Sequence, residues 1–276
     1  MIAKRDLKRW LLSSPKAIRE SVVVLWFFRV KELIEAKFGR GNKDDFVPPD
    51  GLPMPPARLR VAISGIADGE NHWRGGIVSK VAIEDILKEQ DVTVGDFDSL
   101  LDFGSGAGRV LRQWADLDGV SLRGCDYNAD AIEWAQANFP FADCSVNGLE
   151  PPLPYEDDSF DFVYVLSVFT HFSEELQPRW MAELARVIRP GGWLIFTTMG
   201  LSFRGQLTDD QQVQFDEEGF VVHFPGSAGS NLCSAYHSPA FARELAGRSG
   251  FEAVTSREAG PDSLYPQDMH LVRLSA

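Results

Sequence analysis

Leu101-Asp102-Phe103-Gly104-Ser105-Gly106-Ala107-Gly108-Arg109 ends a short apolar segment that starts at Ser99 and leads into a run with helical spacing. Asp126 closes the next apolar segment, twenty-two residues after Gly104, a separation that accommodates one helix and one strand. Glycines directly after a strand permit positive φ in the turn and remove the Cβ atoms that would block a ligand. A helix starting near Gly108 would aim free N–H groups and a partial positive charge at the same space. An acid, then glycines, then a second acid one strand further on points to a nucleoside-type ligand held across two strand ends. The two oxygens of Asp126 suit both hydroxyls of a ribose.

The pattern around this stretch alternates. Helical periodicity predicts helices over 77–88, 108–117, 129–138, 174–189 and 239–248. Apolar runs predict strands over 99–103, 120–125, 144–146, 160–167, 193–198, 251–257 and 269–274. The run 160–167 is almost wholly apolar and reads as a central strand covered on both faces. Pro190-Gly191-Gly192 reads as the stop of one helix and the start of the next strand. Alternation of this kind predicts a mostly parallel sheet with helices on both faces, and ligands outside the carboxyl ends of its strands.

Composition narrows the function. The chain has 276 residues, 44% hydrophobic and 24% charged, which is ordinary for a globular protein with a full core. A net charge of -13 disfavours a general nucleic-acid binder. Three scattered cysteines without a C-x-x-C pair fit reduced thiols in a cytoplasmic protein, with no metal site expected. Residues 1–40 differ from the rest, with ten Lys/Arg against four acids. Their apolar run Val22–Phe28 is far short of the about 20 residues a bilayer span needs. The segment reads as an amphipathic helical extension. It packs on the main domain or a homodimer partner, or makes peripheral contact with an anionic inner membrane face or a lipid-linked substrate. Five prolines between Pro48 and Pro56 read as an extended linker. The expected division is an extension with linker over 1–56 and a catalytic domain over 57–276.

Two ligand classes compete for the glycine turn. A dinucleotide favours G-x-G-x-x-G, and counted from Gly104 the last of those positions is Arg109. Asp102 beside the turn is awkward for a pyrophosphate and helpful for a ligand with an ammonium group. A nicotinamide-dependent oxidoreductase is therefore the weaker enzymatic alternative, and a non-catalytic cofactor-binding regulatory protein is the non-enzymatic one.

The motifs together resemble the class I S-adenosylmethionine-dependent methyltransferases, with a methyltransferase-11/25-like domain. Leu101–Gly108 resembles the first motif and Gly124-Cys125-Asp126-Tyr127-Asn128 the second. Leu153–Asp161 resembles the turn into strand four, and Leu184–Leu194 the later helix-to-strand motif. The resemblance implies a Rossmann-like α/β fold with a seven-stranded, mostly parallel sheet, and S-adenosyl-L-methionine as cofactor. It implies that Asp102, Gly104, Ser105 and Gly106 hold the methionine portion, Asp102 through the ammonium group. Asp126 would take the ribose, Tyr127 would lie against the adenine, and Asn147 and Gly148 would stand at the adenine amino group. Asn147 replaces the acid that the family often has there. Leu166 and Ser167 would line the sulfonium, and Trp73-Arg74-Gly75-Gly76 resembles a flap over the cofactor. His171, after strand four, is the candidate base, with His223 and His237 as further candidates. Phe203, Phe215, Phe220, Phe224 and Tyr236 are candidate walls for the acceptor. Glu156-Asp157-Asp158 reads as a solvated turn. The expected reaction is methylation of a small-molecule hydroxyl on a sugar, lipid-linked glycan or secondary metabolite, with no nucleic acid involved.

Overall fold

The computed structural model describes residues 46–65 and 67–276. The basic extension expected over 1–40, with its membrane and dimer readings, lies outside the described residues. In chain order the elements are α1 (Ala57–Ser64), α2 (Gly69–Lys88), β1 (Ser99–Phe103), β2 (Ser121–Asp126), α3 (Ala129–Asn138), β3 (Asp143–Val146), β4 (Phe160–Val165) and α4 (Leu176–Val187). They continue as β5 (Ile188–Thr198), α5 (Asp209–Glu218), β6 (Phe220–His223), β7 (Ser234–His237), α6 (Pro239–Gly247), β8 (Phe251–Arg257) and β9 (Asp268–Leu274).

Seven strands form one sheet in the order β3-β2-β1-β4-β5-β9-β8. β1 to β5 run parallel, and β9 is antiparallel to both β5 and β8. The strand order reverses at β1, which has β2 on one side and β4 on the other, so a cleft opens there. The side chains of β1 and β4 alternate between two cores. Leu100, Phe162 and Tyr164 pack with Ile83 and Ile86 of α2 and Ile132 of α3. Leu101, Val163 and Val165 pack with Trp180 and Leu184 of α4 and Leu245 of α6. Burial on both faces explains why these strands read as unbroken apolar runs. Among the described residues no helix is long and apolar enough to cross a membrane.

The segment expected as a helix over 108–117 is instead a chain of turns followed by a short 3-10 helix, Leu111–Trp114. Gly104, Gly106 and Gly108 all have positive φ, at 81°, 55° and 71°, which unwinds a right-handed helix before it starts. The N–H array expected at a helix terminus is therefore absent. In its place Gly104 and Ser105 donate to the Cys125 carbonyl at 2.8 and 3.0 Å, and Gly108 donates to Ser105 O at 2.9 Å.

Pro190-Gly191-Gly192 lies inside β5, not between elements. The helix stops at Val187, Ile188 already pairs with Phe160, and pairing resumes at Trp193 opposite Phe162. A bulge holds the proline where no ladder N–H is needed. α5, β6 and β7 had no expectation attached. α5 is polar and buries only Phe215, although Thr208 and Gln211 make a capping box.

The proline-rich stretch is extended but not loose. Arg112, 2% exposed, donates to both oxygens of Asp50 at 2.8 and 2.9 Å, and to the carbonyls of Leu52 and Pro53. Gly75 and Gly76 lie in the middle of α2, so the expected flap is part of a helix. A Cβ on Gly76 would stand 2.3 Å from the Arg109 carbonyl oxygen, and one on Gly75 2.8 Å from the Arg109 guanidinium. The glycines let α2 pass over Arg109. Gly76→Ala is expected to destabilise the fold by about 1–3 kcal/mol. A thermal melt checks this, and an unchanged Tm would show that the helix shifts without loss.

Candidate functional site

A cleft of about 520 Å³ opens at the carboxyl ends of β1, β2 and β4. That is within the size range of pockets for cofactors and small ligands. Asp102, Gly104, Ser105, Asp126, Tyr127, Asn147, Gly148, Leu166, Ser167 and His171 all line it. Gly106 does not. It sits under Ile63 of α1, whose side chain would be 2.8 Å from a Cβ there, and its N–H donates to Asp126 Oδ2 at 2.9 Å. Gly106 therefore braces Asp126, the ribose candidate, through its N–H.

Asp102 ends β1 with its side chain buried, and its Oδ2 has no hydrogen-bond partner. Burial pushes its carboxyl up to about 7, against the opposing effects of the Tyr164 hydroxyl and the Arg109 guanidinium. Trp114 Nε1 donates to the Tyr164 oxygen at 3.2 Å, which leaves the Tyr164 proton for Asp102. Asp126 Oδ1 accepts from Asn128 N at 2.8 Å, so each of its oxygens already holds one backbone donor and keeps a second lone pair for a hydroxyl. Burial raises the Asp126 carboxyl as well, and the two backbone donors oppose it.

Asn147 follows β3. Its amide nitrogen donates to Gly148 O at 2.6 Å, and its buried Oδ1 has no partner. Asp102 and Asn147 thus present two unsatisfied acceptors to one cleft, two strands and roughly 10 Å apart by strand spacing. Unpaired buried acceptors of this kind call for donors from a ligand. S-adenosylmethionine has two such donors, an ammonium and an adenine amino group, so the residues fit it.

The pH dependence follows from Asp102. A carboxyl whose folded pKa is raised favours the fold while protonated, and that contribution is lost as pH rises through about 7. An ammonium partner needs the charged form. Affinity for S-adenosylhomocysteine is therefore expected to rise with pH, by up to about tenfold per unit below pH 7, and to level off above it. Calorimetry over that range checks it, and a flat profile would take Asp102 away from the ammonium group.

Arg109 is a cleft residue that sequence reasoning used only to exclude a dinucleotide. It is half-buried beside Asp102 and held under α2, and it suits the carboxylate of a bound amino acid. The signal available in the sequence was its place directly after the glycine turn. Ser167 lines the cleft in the left-handed region, at φ 61°. Its N–H donates to Thr197 Oγ1 at 2.8 Å, and its hydroxyl donates to Gln267 Oε1 at 2.8 Å. A strained backbone held by two such bonds is common at ligand sites. Gln267 comes from the loop before β9, and nothing in the sequence singled it out.

His171 follows β4 in a short 3-10 turn. Its Nδ1 lies 2.8 Å from the Cys233 carbonyl oxygen. A carbonyl only accepts, so Nδ1 carries the proton, and in the neutral ring Nε2 is the acceptor. The other candidate histidines fall outside the cleft lining. His223 is buried with Nε2 on Gln211 Oε1 at 3.0 Å. His237 is buried with Nε2 on Gln177 Oε1 at 3.0 Å, and burial lowers it to about 3. The expected aromatic walls are also displaced. Phe215 and Tyr236 form a small core with Leu207, Val221 and Phe203, while Phe220 stacks on Phe241. Phe224 is buried and does not line the cleft. The walls beyond Ser167 are Val168, Phe172, Met199, Tyr265 and Pro266.

Glu156, Asp157 and Asp158 are exposed, as a solvated turn requires, and Asp157 pairs with Arg186 at 2.7 Å. Among the described residues no group of His, Cys, Asp and Glu could hold a metal ion.

Residues 101–196 match the family model of a methyltransferase domain. A phthiotriol/phenolphthiotriol dimycocerosates methyltransferase of Mycobacterium ulcerans is 38% identical over 101 residues, covering 35% of this chain and 34% of that protein. Methyltransferase GfsG of Streptomyces halstedii is 30% identical over 137 residues, covering 46% of this chain and 45% of that protein. The chain therefore spans less than half the length of these curated relatives. Further similar proteins include a probable tRNA methyltransferase of Mus musculus. The crystal structure of an S-adenosylmethionine-dependent methyltransferase from Methanosarcina mazei superposes with a TM-score of 0.51 at 21% identity, covering 64% of this chain and 92% of that one. The matched span starts in β1 and ends in β5, so it contains the strands on both sides of the cleft. Residues 101–196 thus carry a methyltransferase domain, and the chain has the fold of the class I S-adenosylmethionine-dependent methyltransferases.

Proposed function

We propose that the protein transfers a methyl group from S-adenosylmethionine to a hydroxyl of a small molecule, such as a sugar, a lipid-linked glycan or a secondary metabolite. The observation that carries the cofactor half is the pair of unpartnered acceptors, Asp102 Oδ2 and Asn147 Oδ1, in one cleft. When bound, S-adenosylmethionine supplies an electrophilic methyl on a sulfonium. Asp102 and Arg109 hold the amino-acid end, Asp126 the ribose, and Tyr127 and Asn147 the adenine. Leu166 and Ser167 border the methyl, and His171 Nε2 takes the proton from the acceptor hydroxyl. Holding the acceptor oxygen in line with the methyl supplies much of the rate.

Charge supports the small-molecule half. Besides Asp102, Arg109 and Asp126, which serve the cofactor, His171 is the titratable side chain that the cleft offers to an acceptor apart from tyrosines. Val168, Phe172, Met199 and Pro266 suit an uncharged body. Among the described residues Arg109 is the single Lys or Arg that lines the cleft, whereas a polynucleotide acceptor needs several cations for its phosphates. Buried thiols at Cys125 and Cys144, neither in a disulfide, support a reducing compartment such as the cytoplasm. The division at residue 57 is supported by the start of α1 there, although Asp50 ties the preceding stretch to the domain.

A second reading, methylation of RNA, is favoured by the tRNA methyltransferases among the similar proteins. One experiment separates the readings. The protein and methyl-labelled S-adenosylmethionine are added to a lysate split into membranes, RNA and small molecules. Label in the small-molecule or lipid fraction supports the proposal. Label confined to RNA overturns the acceptor class, and no label anywhere, with cofactor bound, favours a regulatory protein.

A further inference from the structure

The segment between β6 and β7 runs along the cleft, and hydrogen bonds pin it to three walls. Gly229 O accepts from the Tyr127 hydroxyl, just after β2. Gly229 N donates to His171 O at 2.8 Å, and Cys233 O accepts from His171 Nδ1 at 2.8 Å. Asn231 Nδ2 donates to Ala62 O of α1 at 2.9 Å. The segment is also pressed onto its support. Gly229 has φ 80°, and a Cβ there would lie 2.5 Å from Leu149 Cδ1 and 3.8 Å from the Tyr127 ring. Gly229, Asn231 and Ser234 line the cleft.

The two peptide groups that flank Gly229 therefore join two functional ends. On the adenine side the Tyr127 ring is 51% exposed and its hydroxyl donates to Gly229 O. On the acceptor side the same Gly229 residue holds the His171 backbone, and four residues later Cys233 selects the ring tautomer. A ring fixed by a stacked base keeps its hydroxyl on Gly229 O, and a held peptide keeps Cys233 O on Nδ1. A ligand that fixes the Tyr127 ring therefore favours the arrangement in which Gly229 and Cys233 both hold His171.

We infer that Gly229–Cys233 is a strap carrying occupancy of the adenosine half of the cleft to the tautomer of His171, with Tyr127 as its positioning residue. The strap itself is tested by exchange and tautomer, and only its consequence for proton transfer rests on the reading of His171 as the proton acceptor.

The test uses the full chain, nitrogen-15 labelled, with S-adenosylhomocysteine as probe. Ring signals of His171 are assigned against a His171→Gln variant, among the five histidines of the chain. In the wild type the probe is expected to slow amide exchange at Gly229 and Cys233 by about tenfold and to leave one Nδ1–H tautomer. Tyr127→Phe keeps the ring and removes the hydroxyl. It should still bind the probe, lose that protection and show a second tautomer. Asn231→Ala releases the strap from α1 without altering Tyr127 or His171, and should also raise exchange and admit the second tautomer. If both variants keep the wild-type protection and the single tautomer, the strap is overturned while the base reading stands. If His171→Ala keeps its turnover, the base reading falls and the strap stands. A wild-type chain that does not bind the probe overturns both.

Discussion

Replacing His171 with alanine is expected to lower kcat by about 10²–10⁴-fold, the usual contribution of a positioned acid or base. The affinity for S-adenosylhomocysteine should stay nearly unchanged, because the groups proposed to hold the cofactor lie at the ends of β1, β2 and β3. The Cys233 carbonyl fixes the proton on Nδ1, which makes Nε2 the acceptor in the neutral ring, and the residue lines the cleft just beyond Ser167. His223→Ala is the control. His223 is buried on Gln211 outside the cleft, so that change should lower Tm more than kcat. A His171→Ala protein that turns over at the wild-type rate would remove His171 from the chemistry.

Asp126→Ala is expected to weaken cofactor binding by about 10²–10³-fold, since charge-assisted hydrogen bonds contribute about 1.5–3 kcal/mol each. Two effects combine. The carboxylate holds Gly106 N at 2.9 Å and Asn128 N at 2.8 Å, so its loss loosens the glycine turn and the start of α3 together. It also removes the acceptors for the ribose hydroxyls. Calorimetry gives the affinity and a thermal melt gives the structural part. A lowered Tm with unchanged affinity would make Asp126 a brace for the turn and nothing more.

Much of this site was legible because its residues are local in sequence. Gly104, Ser105 and Asp102 are within one turn, and Asp126 and Tyr127 are within another. Parallel pairing of β1 with β2, Asp102 opposite Gly124, then sets the two turns side by side at one end of the sheet. The helix misread over 108–117 shows the limit of periodicity. Val110, Leu111 and Trp114 have helical spacing and are buried, but three left-handed glycines ahead of them decide the backbone. The helical form of the segment at Gly75 and Gly76, which borders the cleft at Gly75, has the opposite cause. Their low helix propensity is overridden by the close passage of α2 over Arg109, a contact between residues over thirty positions apart. The aromatic residues of 203–236 illustrate a third case. Composition marked them as apolar surface to be covered, without saying whether a ligand or the protein covers them.

The sequence by itself determined the alternating fold, the glycine turn and the paired acids, because short-range spacing and strand periodicity are enough to place those groups, and the resemblance of its motifs added the kind of cofactor. Only the tertiary structure decided that Arg109 faces the cleft, that Gly106 serves Asp126, that His171 alone of the three candidate histidines lines the cleft, and that residues 229–233 lie along it. Those facts depend on contacts between distant segments, where one buried donor or one missing Cβ settles the arrangement and leaves no periodic trace in the chain.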